Sequence, residues 1–319
     1  MTNPVVSSEP FVVAQNPSFR DFINPREVRR MSNIMKRALV TTIQVLRTTG
    51  IEQPDAIITG TSIGSLDHTE RFLDEMTQSD EQTVSPTWFM QSTHNTVSST
   101  LGIHTHTHGY NTTYSQGGCS FEHTLLDAWM QMQLGRIGNA LVGGYDEMVE
   151  SFCQLLCRRG YVGREGMVPC SEVSMSMLLN TESHAGDLCE LAGVALLNRP
   201  TTEELMQQVG RLMQQAGLAD DDISAVMTGV NGNPVNDRLY ALLDGVFVSA
   251  PRLHYKHLFG ENFTVSALGI YAAAHSLAQG EIPSVLYAGD SQTAAPLRAI
   301  LFVNAMEDGE YSLTILKKK

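Results

Sequence analysis

The chain contains 319 residues, of which 42% are hydrophobic, and carries a formal net charge of −13. This acidic balance excludes the broad basic field that holds nucleic acid, and the length predicts a large core shared by two lobes. No stretch approaches the roughly 18 apolar residues of a membrane span, and no secretion signal is expected. The five cysteines include no CxxC pair, so we expect reduced thiols and a cytoplasmic location.

Predicted helices and buried strands alternate through the first half of the chain. Apolar residues recur at helical spacing after Pro25, and Gly50 stands where such a helix would end. Residues 55–60 form a short apolar run, which predicts a buried strand. A helix over residues 124–134 and a buried strand over residues 140–144 follow.

The second half repeats this alternation. Residues 173–179 and 190–197 are predicted to be two strands paired with each other, followed by a helix over residues 202–217. The remaining predicted elements are a strand over 223–228, a helix over 262–279, and closing strands over 284–288, 299–303 and 311–316. The pattern indicates an α/β protein with an N-terminal half of residues 1–187 and a C-terminal half of residues 188–319.

Three histidines, His104, His106 and His108, alternate with threonine. In a strand the three rings would share one face and could bind a transition metal. In an irregular loop the rings would diverge, which favours a surface or subunit-contact role over a metal site. We adopt the second interpretation and expect no metal.

A series of short motifs, most of which contain glycine, runs in one colinear order through the chain. They comprise residues 60–66, residues 85–95, residues 111–117, and Gly135 followed by residues 141–144. In order and spacing these motifs resemble the β-ketoacyl synthases, the condensing enzymes of fatty acid and polyketide assembly. The resemblance implies a thiolase-like fold with two pseudo-symmetric halves in a five-layer α/β/α/β/α arrangement, a dimer, and no cofactor. Compared with that family, we expect this sequence to lack the standard first strand.

The resemblance also implies that the catalytic Cys-His-His set of the family is lost. The family nucleophile sits at the start of a buried helix, and its position falls on Gly118 rather than on Cys119. A glycine cannot form a thioester. The first family histidine corresponds to Asn231 and the second to Glu261, while the lysine that precedes the second is retained as Lys256. The glycine-rich gating loop of the family is absent from its expected place, residues 289–292.

Cys119 leaves an alternative open. A slip of the turn by one residue would present its thiol where the family nucleophile sits, with His257 or His123 as the base. A small buried cysteine packed against its helix is the favoured interpretation. The predicted vestigial pocket consists of Gln116, Gly118, Asn231, Lys256 and Glu261, where Gln116 resembles a glutamine that chain-length factors place near the lost nucleophile.

The resemblance implies a subunit like the degenerate chain-length factors found in bacterial aryl-polyene and flexirubin-type pigment pathways. Such a subunit pairs with an active ketosynthase and bounds the cavity for an acyl chain carried by an acyl carrier protein. Two alternatives remain at this point. One is a divergent acyltransferase or ketosynthase that uses Cys119. The other is a homodimer that binds acyl chains or carrier proteins without a ketosynthase.

Overall fold

The computed structural model describes residues 10–29, 31–289 and 296–319. The helices are α1 (Pro25–Val28), α2 (Asn33–Thr49), α3 (Leu66–Gln78), α4 (Pro86–Ser92), α5 (Thr96–Thr105), α6 (Ser120–Gln133), α7 (Glu150–Arg159), α8 (Thr202–Ala216), α9 (Pro234–Asp237), α10 (Lys256–Phe259) and α11 (Ser266–Gln279). The strands are β1 (Ala56–Gly60), β2 (Tyr110–Tyr114), β3 (Asn139–Asp146), β4 (Val173–Asn180), β5 (Glu190–Asn198), β6 (Ile223–Thr228), β7 (Arg252–His254), β8 (Ala299–Ala305) and β9 (Glu310–Lys317).

Local sequence explains where the two long outer helices begin and end. α2 ends as predicted at Gly50, which has φ of 73° and donates its amide to the Leu46 carbonyl over 2.9 Å. α8 begins at a capping box, in which the Thr201 hydroxyl accepts from the Glu204 amide while the Glu204 carboxylate accepts from the Thr201 amide. Each helix buries one apolar face against its sheet.

The strands form two mixed sheets with the same internal order. The first sheet has the order β2-β1-β3-β4, and the second has the order β5-β9-β8-β6-β7. In each sheet three neighbouring strands are parallel and the fourth, β4 or β9, is antiparallel to its neighbour. The second sheet then continues with β5, which has no counterpart in the first sheet among the described residues. The two sheets therefore repeat one topology, and within the described residues the first sheet has one strand fewer than the second.

Helices separate and cover the two sheets. α6 contacts β1 and β3 of the first sheet and β5 of the second, while α11 contacts β8 of the second sheet and β4 of the first. The largest core cluster lies between the sheets and includes Phe121, Ile270 and Phe302. α2 and α5 cover the outer face of the first sheet and α8 that of the second, which gives the predicted five layers.

Three predicted elements differ from the observed ones. β4 and β5 do not pair with each other, because each is an antiparallel neighbour of a strand in its own sheet. Residues 284–286 form a 3-10 turn after Pro283 instead of a closing strand, since so short an apolar run can be buried in either form. The helix predicted from residue 262 begins only at Ser266. The division of the chain at residue 187 stays a prediction.

Candidate functional site

The turn between β2 and α6 contains the predicted nucleophile position. β2 ends at Tyr114, and a 3-10 turn over Gly117–Cys119 leads into α6. The Ser120 hydroxyl donates to the Gly117 carbonyl over 2.6 Å and accepts from the Gln116 amide over 2.9 Å. Gly117 has φ of 51°, a conformation that glycine adopts without strain. These contacts fix the direction in which residue 118 faces.

Gly118 faces the side chain of Met306, which comes from the second half of the chain. A Cβ atom built on Gly118 would lie only 2.1 Å from the Met306 sulfur. Met306 occupies the turn between β8 and β9, where its amide donates to the Glu310 carbonyl over 2.8 Å. Asn304 holds the same two halves together by donating to the Gly118 carbonyl over 2.8 Å. The space into which a nucleophilic side chain would project is therefore occupied.

Cys119 is fully buried and faces a carboxylate. Burial, together with the nearby carboxylates of Glu122 and Glu310, raises the pKa of its thiol well above its usual value. His123 does not act on this thiol, because its Nδ1–H donates to the Cys119 backbone carbonyl over 2.9 Å and its Nε2 lies 3.5 Å from Glu310. The thiolate that acyl transfer needs is therefore disfavoured.

Cys119 is expected to remain unmodified when the native protein is treated with iodoacetamide. The thiol is both inaccessible and protonated, whereas Cys157 is partly exposed and should react. Intact-mass analysis and peptide mapping of the wild type and of Cys119→Ala should give the same native labelling. An adduct at Cys119 with iodoacetamide, or with an acyl-carrier thioester, would contradict this interpretation and support a working acyltransferase.

Asn231, Lys256 and Glu261 form one buried cluster. The Lys256 ammonium lies 3.0 and 2.9 Å from the two Glu261 carboxylate oxygens, and the Asn231 side chain also donates to that carboxylate. The exposed fraction of each of the three residues is 3% or less. The Asn231 side-chain oxygen accepts from the Asn233 amide over 2.9 Å and from the Asn236 side chain over 3.2 Å. The three side chains are held by hydrogen bonds to one another and to their neighbours, so none of them is free to act as a general base.

A narrow pocket joins this cluster to Gly118. It is too tight to admit a water molecule. Of the predicted pocket residues, the structure brings together Gly118, Lys256 and Glu261, with Asn231 bound behind the carboxylate. Gln116 lies outside, exposed at the start of the turn, and His257 is turned away toward the Val285 carbonyl at 2.7 Å. The remaining lining residues are Tyr161, Asn262, Phe263, Val265, Ser266, Asn304 and Met306.

Sequence reasoning missed three residues of this region: Met306, Asn304 and Glu122. Glu122 is fully buried in the first turn of α6, where its carboxylate accepts from Asn304 over 2.8 Å and from Ser312 over 3.2 Å. Burial raises the pKa of Glu122 to about 7. The sequence did contain a sign of these two residues: Asn304 interrupts an apolar strand, and Glu122 lies on the apolar face of a helix. Buried polar residues of this kind need partners.

The glycine-containing loop after β1 is anchored by the carboxylate that ends β3. Asp146 accepts hydrogen bonds from the Thr61 hydroxyl at 2.7 Å and from the amides of Ser62 and Ile63 at 2.9 Å. Burial raises the pKa of Asp146 to about 6 and that of the neighbouring Glu147 to about 7. The loop is therefore a structural support beside the pocket, and its side chains are engaged in holding the strand ends together.

The three histidines at the end of α5 do not lie on one strand, because His104 belongs to the last turn of the helix. α5 ends at Thr105, and His106 adopts the left-handed conformation with φ of 54° at the end of the helix. His106 and His108 are exposed and line an open surface groove with Asp55 and Arg136. Across residues 10–29, 31–289 and 296–319, no group of three or more potential ligands is placed to hold a metal ion.

Comparison with known proteins identifies the family. The family described as β-ketoacyl synthase, N-terminal domain, matches residues 6–215. The chain belongs to the β-ketoacyl synthase family. It is 24% identical over 246 residues to the 3-oxoacyl-[acyl-carrier-protein] synthase 2 of Mycobacterium bovis and of Mycobacterium tuberculosis, a match that covers 66% of this chain. The match spans 59% of the length of those relatives.

Solved β-ketoacyl synthase structures share the thiolase-like fold of this chain. The ishigamide ketosynthase/chain length factor superposes with a TM-score of 0.80 at 16% identity, covering 96% of this chain and 87% of that one. The ketosynthase ApeO in complex with its chain length factor ApeC, from Xenorhabdus doucetiae, gives a TM-score of 0.75 at 17% identity, covering 97% and 86%. These likenesses confirm the predicted fold class. No helix within the described ranges is long and apolar enough to cross a membrane.

Proposed function

We propose that this β-ketoacyl synthase homologue is a non-catalytic, chain-length-factor-like subunit that pairs with an active ketosynthase. The observation that carries the proposal is the contact between Gly118 and Met306, because the aligned nucleophile position has no side chain and the end of the Met306 side chain lies where one would project. Asn231 and Glu261 stand where the family histidines are expected, and Glu261 is neutralised by Lys256. These side chains can support one another structurally, but they include no nucleophile that could attack a thioester.

The proposed setting is a cytoplasmic polyketide or fatty-acid-like pathway in which an acyl carrier protein delivers the growing chain to the ketosynthase partner. An aryl-polyene or flexirubin-type pathway is the specific setting that the sequence resemblance favours. The tight pocket argues against the alternative of an acyl-binding homodimer that uses this pocket, since an acyl chain has no room beside Met306. The role left to the chain is to shape a cavity in its partner.

The edge of β2 is the proposed contact with the ketosynthase. β2 is the last strand of the first sheet, and its sequence, Tyr-Asn-Thr-Thr-Tyr, carries no charge. Unprotected strand edges pair readily with another chain. Exposed apolar side chains lie on α5, on β2 itself, and on α6 and the residue that follows it; they are Ile103, Tyr110, Met130 and Leu134.

Co-expression with the cognate ketosynthase is expected to give a stoichiometric complex that condenses acyl chains, whereas this chain alone shows no condensing activity. Ile103→Glu combined with Tyr110→Lys should reduce recovery of the complex at least tenfold, because charges at the β2 edge oppose strand pairing. Val248→Glu is the matched control, since Val248 is an equally exposed apolar residue in the second half. Condensing activity of the isolated chain, or equal recovery of all variants, would refute the proposal.

A further inference from the structure

The first sheet carries a surface groove at the end opposite the pocket around Gly118. Gly118 follows the carboxyl end of β2, whereas the groove lies across the amino ends of β1, β2 and β3, where Asp55, Tyr110 and Gly138 line it. The volume of this groove is about 1030 Å³. Ligands of parallel α/β sheets usually bind at the carboxyl ends of the strands, so the fold itself does not predict a site here.

The floor of the groove is fixed by hydrogen bonds around Asp55. Its carboxylate accepts from the Gly138 amide over 2.7 Å and from the Asn139 amide over 3.1 Å, and the Asn139 side chain accepts from the Asp55 amide over 3.0 Å. The chain at Gly109 runs so close that a Cβ atom there would lie 2.0 Å from the Asp55 carbonyl oxygen. The negative charge of Asp55 is thus engaged by backbone amides, and the floor is preformed.

Two exposed histidines, His106 and His108, line the groove. The turn that carries them is held by its backbone, because the His106 amide donates to the Ile103 carbonyl at 3.4 Å and the Thr107 amide donates to the Gly102 carbonyl at 3.0 Å. His106 adopts φ of 54°, a left-handed conformation that is uncommon outside glycine. An imidazole keeps at least one N–H donor in either protonation state. The turn therefore supplies two side-chain hydrogen-bond donors to the groove.

Arg136 also lines the groove, and it forms no ion pair with any carboxylate in the described part of the chain. Its guanidinium donates to the Gln131 side-chain oxygen at 3.4 Å. The chain contains 34 acidic residues against 21 lysines and arginines, so a shortage of carboxylates does not explain an unpaired arginine. A guanidinium binds the oxygens of a phosphate or carboxylate through two parallel N–H donors. Arg136 is therefore available to an anion that enters the groove.

The size and the lining of the groove indicate which anion fits. A phosphate monoester presents three terminal oxygens, one more than a carboxylate, and one guanidinium with two imidazoles supplies donors for all three. The groove is much larger than a phosphate group and lies at the upper limit of the roughly 300–1,000 Å³ that small-molecule sites occupy. Pro54, Met132 and Ile137 add apolar lining, and Tyr110 adds an aromatic ring. The phosphate should therefore be attached to an apolar or aromatic body.

We propose that this groove binds a phosphate monoester with an apolar or aromatic body, whose phosphate oxygens accept hydrogen bonds from Arg136, His106 and His108. The site needs only this chain, so it does not rest on the proposed pairing with a ketosynthase. It gives the protein a small-molecule site at one end of the first sheet, although the pocket at the other end is too tight to admit even water.

Calorimetric titration of the full chain with phenyl phosphate and with adenosine monophosphate tests the proposal. At least one of the two should bind, and Arg136→Gln should weaken that binding at least tenfold. Inorganic phosphate, phenol and adenosine should each bind at least tenfold more weakly than the monoester, because each supplies only part of the contacts. Arg158→Gln is the matched control, since Arg158 is an exposed arginine in the last turn of α7 and lies outside the groove. Failure of both monoesters to bind, or equal affinities of Arg136→Gln and Arg158→Gln, would overturn the proposal.

Amide hydrogen exchange locates the bound monoester. Binding should slow exchange in residues 106–110 and 135–138, which line the groove, and leave residues 116–120 unchanged. Protection of residues 116–120 alone would place the ligand in the pocket around Gly118 and overturn the proposal.

A double variant of the two histidines supplies a second readout. His106→Asn with His108→Ala should weaken binding of the monoester at least tenfold and leave urea unfolding unchanged, because both side chains are exposed and asparagine tolerates the left-handed conformation of His106. Unchanged affinity of this variant would contradict the assigned contacts. None of these measurements involves a ketosynthase, so the phosphate site and the proposed partnership can fail separately.

Discussion

Replacing Lys256 with methionine is expected to lower the free energy of unfolding by about 3–5 kcal/mol. Lys256 and Glu261 are both almost fully buried, and their charged atoms lie 2.9 Å apart. Removing the ammonium leaves the Glu261 carboxylate in the core, and within this cluster only the Asn231 side chain still donates a hydrogen bond to it. An uncompensated buried charge is far more costly than the loss of the pair as a whole. Urea unfolding followed by circular dichroism measures the effect.

A double-mutant cycle separates the contribution of the Lys256–Glu261 ion pair to stability from that of the surrounding packing. Lys256→Met combined with Glu261→Gln removes both charges and keeps an acceptor for Asn231, so most of the lost stability should return. Arg71→Met is a surface control, because the exposed pair of Arg71 with Asp67 should contribute less than about 1 kcal/mol. If the double variant were as unstable as Lys256→Met alone, lost packing rather than the buried charge would be the cause.

Glu122→Gln is expected to stabilise the protein at pH 8 by roughly 3 kcal/mol and to have no such effect at pH 4. Burial raises the pKa of Glu122 from 4.5 to about 7 in the folded protein. The folded state therefore holds a proton that the unfolded chain releases at lower pH. This contribution to stability is complete below about pH 4.5, and it is lost as the pH rises through 7. Glutamine keeps the oxygen that accepts from Asn304 and Ser312 and does not titrate.

The decisive measurement is the difference in free energy of unfolding between the wild type and Glu122→Gln, followed as a function of pH. Asp146 and Glu147 also have raised pKa values, but they are present in both proteins and cancel. Glu203→Gln on the exposed side of α8 should leave the pH profile of stability unchanged. A stabilisation by Glu122→Gln that is the same at pH 4 and pH 8 would show that the effect is one of packing and not of the buried proton.

The sequence predicted the alternation of strands and helices because buried parallel strands and amphipathic helices have periods that can be read directly. It also indicated that Gly118, Lys256 and Glu261 belong together, although Lys256 lies 138 positions after Gly118 in the sequence. It did not identify Met306, because a single methionine in a turn belongs to no periodic sequence pattern. Its contact with Gly118 depends on which strand ends meet in the fold. The sequence misplaced Gln116 for the same reason, since a shift of two residues along a turn decides whether a side chain is buried or exposed.

The contact of Gly118 with Met306 has a consequence for attempts to install a thiol at position 118. In Gly118→Cys a Cβ atom would lie 2.1 Å from the Met306 sulfur, so the new side chain requires the flexible end of Met306 to move. Met306 is partly exposed in the turn between β8 and β9, where its side chain can adopt another rotamer. Two positions almost two hundred residues apart in sequence are therefore expected to be energetically coupled, so that the effects of Gly118→Cys and Met306→Ala on stability are not additive.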